Sequence, residues 1–343
     1  MNSHLKKIPH RILISRTDSI GDVVLTLPMA AVLKANFPEA VIAFMGRSYT
    51  RPVINACQYI DEFIDVDDFL HQTTNVQKMQ AIVHVFPTLE IAKQAKALHI
   101  PVRIGTTNRL YHWAYCNKLV RLSRKNSLLH EAQLNIRLLK PFDIGTHYSL
   151  DEIGLLYGLE KLEPLRNDFS LLLKKESYNL ILHPKSQGSG REWPLESYIQ
   201  LIRSLDTLRY NIFISGTEKE RPFLQPLFEQ VGHLVTDITG KMSLSQFISF
   251  INACDGLVAS GTGPIHLAAA LGKNAMGIYP PLRPIHPGRW KPVGPKAKVF
   301  VVDKDCNACT DNPSTCSCIK EVKPEWIKNH LDKISAPGNG FNK

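Results

Sequence analysis

The sequence predicts an α/β protein built as two doubly wound domains, and three observations lead there. Its 343 residues suit two domains at roughly 100–200 residues each. Short apolar runs alternate with helical patterns along most of the chain, as in parallel sheets covered by helices on both faces. The alternation stops over 162–168, where Pro164 stands among charged residues, and then begins again. The expected domains are therefore 1–165 and 166–343, two units facing each other across a cleft.

In the first half, Ile12, Leu13 and Ile14 mark a buried strand over 11–15. A helix is expected over 23–35, kinked or restarted at Pro28, because proline removes a backbone donor and clashes one turn back. Further strands are expected over 40–44, 63–66, 81–86 and 101–105, with helices over 49–56 and 89–98. In the second half the strands are 179–183, 211–215, 256–260 and 274–279, and the helices 194–205, 244–253 and 265–271. The second half thus repeats the architecture of the first without repeating its sequence.

Composition narrows the partners. A hydrophobic share of 44% and a charged share of 21% are ordinary for a globular protein. The formal net charge of +10 favours anionic partners: nucleic acid, an anionic membrane face or a phosphate-rich small substrate. No nucleic-acid recognition motif is present, so nucleic acid is not expected. The basic start is followed by an apolar run over 12–14 that is too short for a secretory signal. No stretch approaches the ~20 apolar residues of a membrane span. A cytoplasmic protein is expected, touching a membrane face peripherally if at all. Cys57, Cys116 and Cys254 are scattered and read as small core residues.

Three loops carry the residues suited to chemistry, since ligands of open parallel sheets bind beyond the carboxyl ends of the strands. The first is Arg16-Thr17-Asp18-Ser19-Ile20-Gly21-Asp22. Asp22 is either a helix cap or a general base held at the cleft. The second runs over 183–194 and contains Lys185, Ser186, Gly188, Gly190 and Arg191. Its donors and cations suit an anion, or it is a plain solvent loop. The third is Ser260-Gly261-Thr262-Gly263-Pro264-Ile265-His266, a strand end opening a helix of small residues. Proline suits the first helical turn, and a free helix N-terminus beside two glycines suits a pyrophosphate. His266 lies in that first turn.

Together these loops resemble glycosyltransferase family nine, the family of the bacterial lipopolysaccharide heptosyltransferases. The matching segments are Asp18-Ser19-Ile20-Gly21-Asp22-Val23-Val24 with Thr26-Leu27-Pro28, His183 with Arg191-Glu192-Trp193-Pro194, Lys241-Met242-Ser243-Leu244, and Gly261 through Ala270. They occur in the family's order and span about 11–290. The resemblance implies the fold called GT-B, with two Rossmann-like domains. It implies an inverting transfer of a sugar, heptose from ADP-heptose, onto a lipopolysaccharide core or related glycolipid. By the same resemblance Asp22 is the catalytic base. Lys185, Ser186 and Arg191 contact the donor phosphates. Glu218 holds the ribose, Met242 packs the adenine, and Thr262, Gly263 and His266 hold the pyrophosphate. No cofactor is required, and no Asp-x-Asp motif is expected in the chain to hold a catalytic metal. The chain departs from the pattern at Gly261, where some members carry an aspartate that contacts the sugar, and in a phosphate loop about one residue longer around Gly188.

The first domain is the expected acceptor side. Residues 103–125 mix cations with aromatics, and Arg109, Arg121 and Arg124 are the acceptor-binding candidates. This stretch is either a basic amphipathic face for a lipid-linked oligosaccharide or a solvated helix face. Cys306, Cys309, Cys316 and Cys318 form a tight cluster, suited to a structural zinc, an iron–sulfur centre or disulfides. Two rival functions remain beside the transferase. One is a nucleotide-sugar epimerase or hydrolase of the same fold; the other is an inactive nucleotide-sugar-binding protein.

Overall fold

The computed structural model describes residues 9–71, 78–124, 127–186, 188, 190–281, 286–304 and 317–335. The chain forms two compact units, Met1–Leu162 and Glu163–Lys343.

The first unit holds six parallel strands: β1 (Arg11–Ser15), β2 (Val41–Gly46), β3 (Glu62–Asp65), β4 (Ala81–His84), β5 (Val102–Thr106) and β6 (Lys118–Val120). Their order is β3-β2-β1-β4-β5-β6. The central strands β1 and β4 are buried almost throughout because helices cover both faces of a parallel sheet. On one face Leu13, Met45 and Ile82 pack with Phe69 and Ile91. The helix expected over 23–35 is two helices, Ile20–Val24 and Pro28–Asn36, with the second starting at Pro28 as proline chemistry requires.

The second unit repeats the arrangement with β7 (Tyr178–His183), β8 (Tyr210–Ile214), β9 (Thr236–Asp237), β10 (Gly256–Ser260), β11 (Asn274–Ile278) and β12 (Ala297–Phe300). The order is β12-β11-β10-β7-β8-β9, again all parallel. Counted within its own unit, each sheet has the order 3-2-1-4-5-6 of doubly wound dinucleotide folds. Leu180, Leu182, Ile212 and Ile214 form the core with Trp193, Tyr198 and Ile327. Ile327 belongs to the helix Pro324–Ile334, which the Trp193 indole also helps to anchor by donating to Val322 O at 2.8 Å.

The 103–125 stretch is not one amphipathic face. It divides into the end of β5, the helix Leu110–Tyr115 and β6. Its described cations and aromatics are therefore shared between two strands, a short helix and the loops beside them, where Arg109, Arg121 and Arg124 lie. Cys57, Cys116 and Cys254 are buried, as small core residues are. Cys318 is buried in the second unit's core, while Cys306, Cys309 and Cys316 lie outside the described residues. Among the described residues no helix is long and apolar enough to cross a membrane.

Candidate active site

In each sheet the strand order reverses at one point, between β1 and β4 and between β7 and β10. Two strands that diverge there leave a crevice at their carboxyl ends. The three loops chosen from the sequence follow β1, β7 and β10, so all three sit at these reversal points.

The loop after β1 is organised by Arg16, a residue the sequence reading passed over. Its side chain is only 4% exposed. Nε donates to Asp18 Oδ1 at 2.7 Å, one terminal nitrogen to Glu131 Oε1 at 3.1 Å, and the other to Asp22 Oδ1. Burial disfavours the guanidinium charge, but Asp22, Asp18 and Glu131 outweigh it and raise its pKa. The second oxygen of Asp22 accepts from Ser19 Oγ at 2.6 Å, and the Asp22 carbonyl accepts from Thr26 Oγ1 at 2.8 Å. Asp22 is thus fixed in one orientation and remains partly open. Glu131 starts the helix Glu131–Arg137 and is 1% exposed. It also accepts from Arg124 Nε at 2.9 Å, and Arg124 reaches on to Val85 O and Asn135 Oδ1, each at 3.1 Å. Arg124, expected as an acceptor contact, is engaged in this framework. Arg109 and Arg121 are exposed.

A cavity of about 560 Å³ flanks the same loop, lined by Thr17, Arg47, Tyr49, Asp67 and Glu90 among others. The expectation that the chain has no Asp-x-Asp motif is incorrect, because Asp65-Val66-Asp67 stands beside this cavity. Asp65 is buried and spends its carboxylate locally, accepting from Ser48 Oγ and, at 2.9 Å, from the Asp67 N–H.

In the second unit four adjacent strands bring the expected donor residues to one edge. After β7, Glu192 closes the loop on itself: it accepts from Lys185 Nζ, and from Ser186 N at 2.8 Å and Ser186 Oγ at 3.1 Å. Arg191 is half-buried and forms no ion pair among the described residues. Gly188 has φ +79°, a conformation open to glycine. Trp193 N–H donates to Ser260 Oγ at 3.0 Å, tying this loop to the end of β10. A Cβ on Gly190 would lie 2.8 Å from Gly261 O, so the two glycine loops touch backbone to backbone.

After β10, the helix Gly263–Ala270 begins with Pro264 in its first turn and Thr262 as N-cap. Thr262 is 5% exposed, and its hydroxyl makes no hydrogen bond among the described residues. The free N–H groups and the positive end of this helix are chemically suited to an anion. His266 is buried in the same turn. After β8, two glutamates stand close together, Glu218 and Glu220. Glu220 closes a capping box on the N-cap Thr217: it accepts from Thr217 N at 2.7 Å and Thr217 Oγ1 at 3.0 Å. Glu218 stays exposed, its carboxylate against Gly240, two residues from the half-buried Met242. His183, at the end of β7, shares a 2.9 Å hydrogen bond with Ser215, and burial lowers its pKa to about 4.

The departure at Gly261 has a steric cause. A Cβ there would lie 2.8 Å from the Tyr279 ring. That ring is buried and its hydroxyl donates to Trp290 O at 2.8 Å, so it does not swing away freely. Tyr279 occupies the space an aspartate would need.

Residues 85–320 match the family described as glycosyltransferase family 9 (heptosyltransferase). A Haemophilus influenzae protein described no further than as a glycosyltransferase is 26% identical over 298 residues, which cover 82% of this chain and 86% of that protein. The crystal structure of a family 9 glycosyl transferase from Veillonella parvula aligns with a TM-score of 0.81 at 19% identity, covering 97% of this chain and 99% of that one. The structure of the E. coli ADP-heptose lps heptosyltransferase II aligns with a TM-score of 0.69 at 17% identity, covering 95% and 98%. At these identities the two structures speak for the fold, which is GT-B.

Two predictions follow from the geometry of these loops. Burial pushes the Asp18 carboxyl up to about 6, with Arg16 opposing and Asp22 adding to the rise. Folded Asp18 therefore holds its proton more tightly than in the unfolded chain, where aspartate titrates near about 3.9. That stability is full below about pH 4 and is lost as pH rises through about 6. Asp18→Asn should be more stable than wild type at pH 7 and equal to it at pH 4; urea midpoints at both values check this. Separately, Gly261→Ala should cost about 1–3 kcal/mol by overpacking. Tyr279→Leu in the same chain should recover part of that loss, and a double-mutant cycle read by thermal unfolding measures the coupling.

Proposed function

Because this chain belongs to glycosyltransferase family 9, we propose that it transfers heptose from ADP-heptose to a hydroxyl of a lipopolysaccharide core or related glycolipid. The observation that carries the donor half is the start of the helix Gly263–Ala270, where the buried Thr262 hydroxyl has no partner among the described residues and a second glycine loop abuts Gly261. The likeness to an E. coli ADP-heptose enzyme supports ADP as the nucleotide.

In this reading Asp22 takes the acceptor hydroxyl proton. The freed oxygen pair attacks the anomeric carbon from the face opposite the pyrophosphate, the bond to the β-phosphate oxygen breaks, and the configuration inverts. Negative charge grows on the departing ADP. The helix N-terminus, His266 and Arg191 stabilise that charge, in the manner of preorganised donors aimed at a developing anion. Lys185 and Ser186 join them once Glu192 releases its hold. Glu218 takes the ribose hydroxyls and Met242 packs the adenine. This chemistry calls on no bound metal. The exposed Leu110 and Trp113 beside Arg109 are the surface assigned to the membrane that carries the glycolipid.

Calorimetric titration with ADP, UDP, GDP and CMP tests the donor, with wild type beside Asp22→Asn. ADP should bind selectively and equally to both proteins. Transfer from ADP-heptose should fall on the order of 100-fold or more in Asp22→Asn. Selective binding of UDP or GDP contradicts the donor, and equal transfer by both proteins contradicts the base.

A further inference from the structure

Three donors converge on one carboxylate in the loop after β7. Glu192 accepts from the Lys185 ammonium, from Ser186 N at 2.8 Å and from the Ser186 hydroxyl at 3.1 Å. An ammonium, a backbone N–H and a hydroxyl are also what a phosphate takes at such a loop. Lys185 and Ser186 are the residues expected on the donor phosphates, so an internal anion stands among the donors that a phosphate needs.

A staple that keeps the loop shut would also explain these bonds, but the loop is closed without them. Ser186 Oγ also donates to Gly190 O at 3.1 Å, Trp193 N–H donates to Ser260 Oγ at 3.0 Å, and Gly190 packs on the backbone of Gly261. None of these three contacts uses the Glu192 side chain. The ion pair is also shallow. The Lys185 and Glu192 side chains are 20% and 29% exposed, so water screens the pair and its release costs little. The Lys185 ammonium lies 5.7 Å from the centre of the Phe223 ring, a cation–π contact that does not depend on the carboxylate.

We propose that Glu192 stands in for a donor phosphate, so that this carboxylate and a bound diphosphate exclude each other at Lys185 and Ser186. The loop then holds an anion in both states. An incoming nucleotide replaces the carboxylate, and the carboxylate replaces the departing ADP. The diphosphate can win the exchange because its other phosphate has the start of the helix Gly263–Ala270 to bind, beside the same loop. That the anion belongs to ADP rests on the transferase reading; the exclusion itself does not.

The test is calorimetric titration of the full chain with ADP, pyrophosphate and adenosine. Wild type is compared with Glu192→Gln and with Glu192→Ala, because a glutamine oxygen can still accept from Ser186 and alanine cannot. Urea unfolding confirms that each protein is folded. Both variants should bind ADP and pyrophosphate at least about 10-fold more tightly than wild type, as follows when the carboxylate holds the donors about nine-tenths of the time. Adenosine, which brings no phosphate, should show no gain. In a Lys185→Ala background the gain from Glu192→Gln should shrink, since one contested donor is gone. An undiminished gain there reflects only the removal of a nearby negative charge and overturns the exclusion. A staple predicts the opposite sign: unchanged or weaker binding of ADP and pyrophosphate by the folded Glu192 variants overturns the proposal and leaves the transferase reading standing. Tighter pyrophosphate binding with no ADP binding by any protein keeps the exclusion and removes ADP as the donor nucleotide. Binding of neither anion by any protein overturns both.

Discussion

The site in the first unit depends on one buried cation. Arg16 stands directly after the central strand β1, at a depth where an isolated charge costs several kcal/mol. Three carboxylates meet it there, one from its own loop, one from the first turn of the following helix and one 115 positions along the chain. Removing the arginine from such a network leaves the carboxylates gathered round it without their shared cation, typically at a cost of about 3–5 kcal/mol. The network therefore holds the helix Glu131–Arg137 against the β1 loop and, by the same bonds, holds Asp22 in one orientation. Stability and positioning of the proposed base are here one set of hydrogen bonds.

The second unit solves its problem sterically. The proposed donor, a nucleoside-diphosphate sugar, needs backbone donors close at hand, and only glycine lets two loops approach so nearly. Gly190 touches Gly261, and Gly261 is itself held free of a side chain by the Tyr279 ring. Trp193 bonded to Ser260 fixes the distance between the loops. The helix Gly263–Ala270 then presents its free N–H groups at the point where β7 and β10 diverge.

Much of this was legible in the sequence because it is written locally. Central strands such as 179–183 read clearly, since a parallel strand buried on both faces is a continuous apolar run. The loops after β1, β7 and β10 were legible for the same local reason: glycines, cations and a helix start lie side by side. The short edge strands were not. β6 has three residues beginning with Lys118, and β9 is only Thr236–Asp237, so neither carries a periodic signal. Arg16 paired with Glu131, and Gly261 opposed by Tyr279, are long-range facts that no local pattern encodes. Two details did have a signal. Thr217-x-x-Glu220 is a capping-box spacing, which separates Glu220 from Glu218. Arg16 placed between a buried strand and two nearby aspartates also marks a cation kept for a purpose.

The central claim is that Arg16 orients Asp22 for proton removal. Transfer from ADP-heptose by Arg16→Lys tests it most directly, because lysine keeps the charge and loses the fork that serves three carboxylates at once. The account predicts cooperative unfolding, ADP affinity equal to wild type, and transfer slower on the order of 100-fold, the cost of a misplaced reacting group. Wild-type transfer rates in a folded Arg16→Lys protein would contradict it.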